Sequence, residues 1–169
     1  VIRRSLLLVV TLVGALTLSA CTTFTDNDAI ARVNDVELAR ADLERFIQEV
    51  IEANPNMEGT DVIEGDAYRS LITDWIVDEL VRQQLEELGV EISPDDLASA
   101  TATVDQQIGG VEVSDFVREF LISSAATRNA FQRTQGDGSL AEFAERADVI
   151  VDSRYGYWDT TQFVVLPLG

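Results

Sequence analysis

The sequence has no histidine and no lysine, and only one cysteine, Cys21. Without histidine, neither a Ser-His-Asp nor a Cys-His nucleophile can be assembled. The same shortage argues against zinc sites of the usual His/Cys type. A single cysteine rules out an intramolecular disulfide. Positive charge is also scarce: 12 arginines face 30 acidic residues, a formal net charge of −18. Such a surface repels phosphate backbones, so nucleic acid is not an expected partner. What the chain does have is apolar material, 46 % of its residues, too much for a disordered acidic tail. Its 169 residues suit one domain of ordinary size.

The N-terminus reads as a targeting segment. Arg3 and Arg4 form a positive patch, and Leu6 to Leu18 is an almost unbroken apolar run. The run is short of the ~20 residues that cross a bilayer and fits the central part of a secretory signal peptide. Leu18-Ser19-Ala20-Cys21 then resembles the bacterial lipobox, in which small residues precede a cysteine that is lipidated and becomes the new N-terminus. The alternatives are an ordinary signal peptide cut after Ala20, which leaves a free thiol, and an uncleaved anchor. The lipoprotein reading makes residues 1–20 a signal peptide and residues 21–28 a lipidated cysteine with a polar tether. It places the protein outside the cytoplasm, held to the bacterial cell membrane by lipid on Cys21. Loss of Arg3 and Arg4 takes the net charge from −18 to −20.

The body, residues 29–169, predicts a mainly α fold of four to five helices with a small β element. Ala29–Val33 and Val36–Leu38 read as short strands around an Asn34-Asp35 turn. Leu43, Phe46, Ile47, Val50 and Ile51 repeat with helical period, and Asn54-Pro55-Asn56 should end that helix. The longest helix runs from about Asp66 to Leu88, with a stripe from Tyr68 through Trp75, Ile76 and Leu80 to Leu88, closed by Gly89. Ser93-Pro94-Asp95-Asp96 is a capping box for a third helix, whose weaker stripe includes Leu97, Ala100, Val104 and Ile108. A fourth helix covers about Ser114 to Arg133, with Phe116, Val117, Phe120, Leu121 and Phe131 apolar, and Gly136-Asp137-Gly138 stops it. Ser139-Leu140-Ala141-Glu142 opens a short fifth helix to about Ala147.

Asp148-Val149-Ile150-Val151 then alternates as a strand. A lone strand leaves backbone groups unpaired, so it needs a partner. The other clear strand material is at the start of the body, and Val149–Val151 is therefore expected to pair with Ile30–Val33. Arg154, Tyr155 and Trp158 have two readings: a binding hot spot, in which these residue types are enriched, or a structural one, in which Tyr155 and Trp158 pin this closing segment to the helices and Arg154 pairs with an acid.

The order of these features resembles a family. Val33-Asn34-Asp35 and Leu38-Ala39…Asp42-Leu43 match the "VNG…I-T…D-L" opening of SurA-type periplasmic chaperones and PrsA-like lipoprotein foldases. Gly89-Val90-Glu91-Ile92-Ser93 matches their "G-I-x-V-S/T" link, and Val151-Asp152-Ser153-Arg154-Tyr155-Gly156-Tyr157-Trp158 matches the "V-x-P-R-Y-G-x-W" tail of actinobacterial relatives. The similarity spans about residues 29–165, with Asp35 in place of the turn glycine, Ala39 in place of the Ser/Thr cap and Ser153 in place of the proline. It implies a SurA N-terminal or trigger-factor-like peptide-binding fold. Full-length members often carry a histidine-containing parvulin isomerase domain before the closing segment. Here Gly136-Asp137-Gly138 stands in that place, so the resemblance implies the chaperone part alone.

The resulting expectation is a lipid-anchored holdase for unfolded or extended exported polypeptides, with no enzymatic activity, cofactor or metal. Its candidate client-binding residues are Phe46, Met57, Trp75, Phe116, Phe120 and Phe131; for the aromatic ones the alternative is a place in the core, whereas Met57 falls in a loop. The other reading is an envelope lipoprotein that docks one specific partner. An enzyme would have only carboxylates, hydroxyls, Tyr and Arg to work with. The acid pairs Asp95-Asp96 and Glu86-Glu87 suit a helix first turn and a helix surface rather than catalysis.

Overall fold

The computed structural model describes residues 28–53, 65–134 and 140–169. The signal peptide, Cys21, the tether up to Asn27, Met57 and the Gly136-Asp137-Gly138 stop lie outside the described residues. In chain order the elements are β1 (Ala29–Val33), β2 (Val36–Ala39), α1 (Arg40–Ala53), α2 (Gly65–Glu87), α3 (Pro94–Ile108), α4 (Asp115–Thr134), α5 (Leu140–Arg146), β3 (Val149–Val151), β4 (Tyr157–Asp159) and β5 (Val164–Leu166). The described residues are mainly helical, as expected.

β1 sits between β2 and β3 and is antiparallel to both. The expected pairing of the chain's two ends is present: Ala31 opposes Val151, Arg32 opposes Ile150 and Val33 opposes Val149. The β1–β2 loop has two residues, and Asn34 takes the left-handed conformation (φ 53°), which asparagine tolerates better than most residues. Its side chain then binds in two directions. Oδ1 accepts the Asp148 N–H at 2.9 Å, and Nδ2 donates to Gln83 Oε1 at 2.5 Å. Gln83 Nε2 in turn donates to the Val33 carbonyl at 3.1 Å and to Glu79 at 2.6 Å. One turn residue thus ties the first hairpin to β3 and, through Gln83, to α2.

The main core forms where this sheet meets α2. Ile30, Ala31, Val33, Ile72, Ile76 and Leu80 are completely buried, and Leu43, Ile47, Phe143 and Val165 close around them. A smaller core of Val81, Leu85 and Ala130 joins the far end of α2 to α4. The expected α2 stripe is largely inward, but Leu88 is 40 % exposed while Glu79 and Gln84 are buried. Glu79 is tolerated there because Arg82 and Gln83 bond its carboxylate.

α3 starts with the anticipated capping box: the Asp96 N–H donates to Ser93 Oγ, and the Asp96 carboxylate accepts the Ser93 N–H. Gly109 closes the helix in the left-handed conformation. The inward residue of its first turn, however, is Asp96, and Leu97 is 44 % exposed. Asp96 is buried because α4 supplies Arg133, 2.7 Å from the same carboxylate, which also caps the helix. α4 buries Val117 together with the small residues Ser124, Ala126, Thr127 and Ala130, and leaves Phe120 at 36 % exposure.

The closing segment forms two β elements rather than one. After β3 the chain turns at Asp152–Tyr155, and β4 and β5 pair with each other as a separate hairpin. This hairpin is fastened to α2, where the Val165 N–H donates to Thr73 Oγ1 at 2.9 Å. Tyr155 stacks near Tyr68, and its hydroxyl accepts from Arg40 at 2.6 Å. Trp158 meets Phe163 edge-on, and Arg154 pairs with Asp152. Gly156 makes the bend possible. Its φ is +139°, and a Cβ there would sit 2.0 Å from the Leu166 carbonyl oxygen.

Two outcomes follow. Gly156→Ala forces backbone apart in a region closed to L side chains, and should cost about 3 kcal/mol in denaturant melts. Asp96 is the second case: Arg133, then Ser93, hold its carboxyl well below the ordinary value. A depressed carboxyl contributes stability above its unfolded value of about 4 and loses it as pH falls through the folded value. Asp96→Asn should therefore lower Tm at pH 7, and the gap to the parent should narrow in melts taken towards about pH 3.

Candidate functional site

Four of the six candidate aromatic and methionine positions converge on one groove. Its walls are α1 with Asp42, Leu43 and Phe46, α2 with Leu71, Asp74, Trp75 and Asp78, and α4 with Phe116, Phe120, Leu121, Ser124 and Arg128; Glu37 and Leu38 of β2 close one side. Its volume is about 270 Å³. Pockets for whole small molecules run to ≈ 300–1,000 Å³, so this one suits one or two side chains of a longer ligand.

The helical spacing of the sequence explains the convergence. On α1, Phe46 lies between the buried Leu43 and Ile47 positions and the solvent, so its ring stays half-buried at the edge of the core. On α4, Phe116 and Phe120 are four residues apart and share a side. The Phe46 and Phe120 rings meet at 4.9 Å and 56°, a tilted geometry that aromatic quadrupoles favour. The Arg45 guanidinium lies 4.1 Å from the Phe116 ring centroid and also bonds Glu49 at 2.7 Å. Glu49 accepts a hydrogen bond from Ser114, whose oxygen also accepts the Val117 N–H at 3.2 Å and so caps α4. Ser114, then Arg45, hold the Glu49 carboxyl below its ordinary value. This contact fixes the spacing of α1 and α4 at one end of the groove.

At the other end stands a polar group that periodicity alone did not single out. Asp74 and Asp78 are one turn apart on α2 and flank Trp75. Asp78 accepts from the Ser124 hydroxyl, and Arg128 approaches it to 3.7 Å while donating to Ser124 at 2.6 Å. Burial pushes the Asp78 carboxyl up, against the pull of Ser124 and Arg128 and with the repulsion of Asp74. Burial also raises Asp74, although part of its side is in solvent, because the apolar walls keep water from the rest. The i, i+4 spacing of these acids was visible in the sequence. That they would face aromatic side chains of α1 and α4 was not.

The other candidates fall elsewhere. Phe131 is half-buried against Val81, Leu85 and Ala130, and so belongs to the second core rather than the groove. Met57 and the lipidation candidate Cys21 lie outside the described residues. Among the described residues no cluster of acidic side chains is arranged to hold a metal ion, and no helix is long and apolar enough to cross a membrane.

No family model, no curated protein and no solved structure matches the chain. The groove itself therefore carries the functional argument.

A raised carboxyl has a definite sign in stability. Asp74 holds its proton more tightly in the folded state, so its ionised form opposes folding above the folded value, and the opposition disappears once pH falls below the unfolded value. Asp74→Asn should raise Tm at pH 7, and the gain should fade in melts taken towards about pH 3.

Proposed function

We propose that the protein is a holdase-type chaperone that seats apolar side chains of non-native polypeptides in the α1–α2–α4 groove. The observation that carries this is the placement of Phe46, Trp75, Phe116 and Phe120. All four line an open groove, and none is among the fully packed core residues, which are aliphatic and small apart from Phe143. Aromatic rings held at a groove rim offer large apolar contact to many sequences at little cost in side-chain entropy. The work needs no catalytic group, and the lack of histidine agrees with a chaperone that does not isomerise prolines.

In this reading the domain is of the SurA N-terminal type. The lipobox-like Leu18-Ser19-Ala20-Cys21 would hold it at the outer side of the cell membrane, where exported chains emerge unfolded. Two acyl chains on one cysteine anchor stably, whereas one alone gives reversible binding. The acidic body, repelled by anionic lipid, would stand away from the surface with its groove accessible.

The purified protein should suppress aggregation of two or three unrelated unfolded proteins at near-stoichiometric ratios in a light-scattering assay. Phe120→Ser removes an exposed ring from the groove and should weaken suppression several-fold, while shifting stability by only about 1 kcal/mol. No suppression of any client would sink the chaperone reading and turn attention to a single dedicated partner.

A further inference from the structure

We infer that the groove selects extended segments in which apolar residues are flanked by lysine or arginine. This rests on the chaperone reading and adds a charge preference to it. Each of the ten described arginines already holds a carboxylate of its own chain: Arg32 with Asp148, Arg40 with Asp152, Arg45 with Glu49, Arg69 with Asp66, and Arg118 with Asp105. Arg82, Arg128, Arg133, Arg146 and Arg154 are engaged likewise.

Three of the acids left over share one surrounding. Glu37, Asp42 and Asp74 form no ion pair among the described residues, and all three line the aromatic groove. Arg128, which lines it, is held by Asp78 and Ser124, and Arg45, over the Phe116 ring, is held by Glu49. Carboxylates beside low-dielectric aromatic walls project a stronger field than the same charges in open water. A ligand that fills the apolar floor and carries positive charge alongside satisfies both surfaces. An acidic ligand meets repulsion.

The edge of the sheet explains why the segment is extended. In β1 the even-numbered residues bond towards β3: the Asp152 N–H donates to the Ile30 carbonyl and the Asn34 N–H donates to the Asp148 carbonyl, both at 2.8 Å. The odd-numbered residues therefore bond towards β2, which makes Arg32 and Glu37 a non-hydrogen-bonded pair. The Glu37 backbone N–H and C=O consequently point away from β1, and β2 is an edge strand. Glu37 thus offers a backbone pairing site at the margin of the groove, and a segment lying along it can drop alternate side chains inward.

Three short unstructured peptides test this. Each has the same Phe-Leu-Val centre, flanked by Lys, by Ser or by Glu, and binding is read by fluorescence polarisation at low and moderate salt. The Lys peptide should bind about tenfold more tightly than the Glu peptide at low salt, with the Ser peptide between them and the ratio shrinking as salt rises. Glu37→Gln with Asp74→Asn should cut that ratio to about twofold. Asp95→Asn with Glu145→Gln removes the same charge from exposed positions outside the groove, and should leave the ratio intact. Equal binding of the Lys and Glu peptides overturns the charge preference and leaves the holdase reading standing. A ratio that falls equally in both double variants also overturns it, because the whole molecule's charge would then be responsible. Failure to bind any peptide, together with failure to suppress aggregation, overturns the chaperone reading itself.

Discussion

The antiparallel pairing of β1 with both β2 and β3 is the constraint on which the rest of the molecule depends. β1 carries three of the most deeply buried side chains, Ile30, Ala31 and Val33, and is the only strand of its sheet with a neighbour on each side. It joins residues more than a hundred positions apart, so its formation closes nearly the whole described chain into one loop. Such closure is costly in entropy, and the contacts that follow have to offset it. They are concentrated on α2, which meets β1, β5, α4 and α5 and contributes Ile72, Ile76 and Leu80 to the same core. Asn34 secures the register, because its side chain reaches β3 and α2 at once.

The groove is a consequence of how α4 is packed. That helix lies against both α2 and α3, and its buried positions are Val117, Ser124, Ala126, Thr127 and Ala130. Small residues allow close approach of the helices but leave no room for rings between them. Phe116 and Phe120 therefore stand at the side of the contact, where α1 faces them with Phe46. α1 does not close over them, because its own buried residues, Leu43 and Ile47, are committed to the sheet core. The Glu49–Ser114 hydrogen bond holds the two helices at that spacing.

Electrostatics in this protein divides into two populations. The arginines are structural: Arg133 latches α4 to the cap of α3, Arg118 joins the same helices at Asp105, and Arg40 and Arg154 converge on Asp152 at the closing turn. The acids outnumber them, and the surplus is left to solvent and to the groove. Exposed pairs such as Arg118–Asp105 contribute little stability singly. Their larger effect is to use up the positive charge, so that the field at the groove is set by unpaired carboxylates.

Much of the architecture was legible in the sequence because it is local chemistry. The capping box at Ser93–Asp96, the left-handed stop at Gly89, the Asn34 turn and the helical period of α1 and α2 are each decided within a few residues. The β1–β3 pairing was also legible, since a late strand in a helical chain must satisfy its backbone somewhere. The closing hairpin was not, because Gly156 turns the chain through a conformation whose need appears only once Leu166 is beside it. The sequence also marked Phe46, Trp75, Phe116, Phe120 and Phe131 as equivalent apolar positions. Only tertiary structure separated the four that line a groove, Trp75 packing against the main core as well, from Phe131, which packs against the second core alone. Periodicity reports which face of a helix avoids water, whereas the volume left between faces depends on the residues of every helix that packs there. The same limit applies to Asp96 and Leu97: one was buried and the other exposed because Arg133, distant in sequence, arrived to pair with the acid. The chain by itself determined its elements, their ends and its surplus of negative charge. The packing of α1, α2 and α4 decided where that charge and those rings would meet.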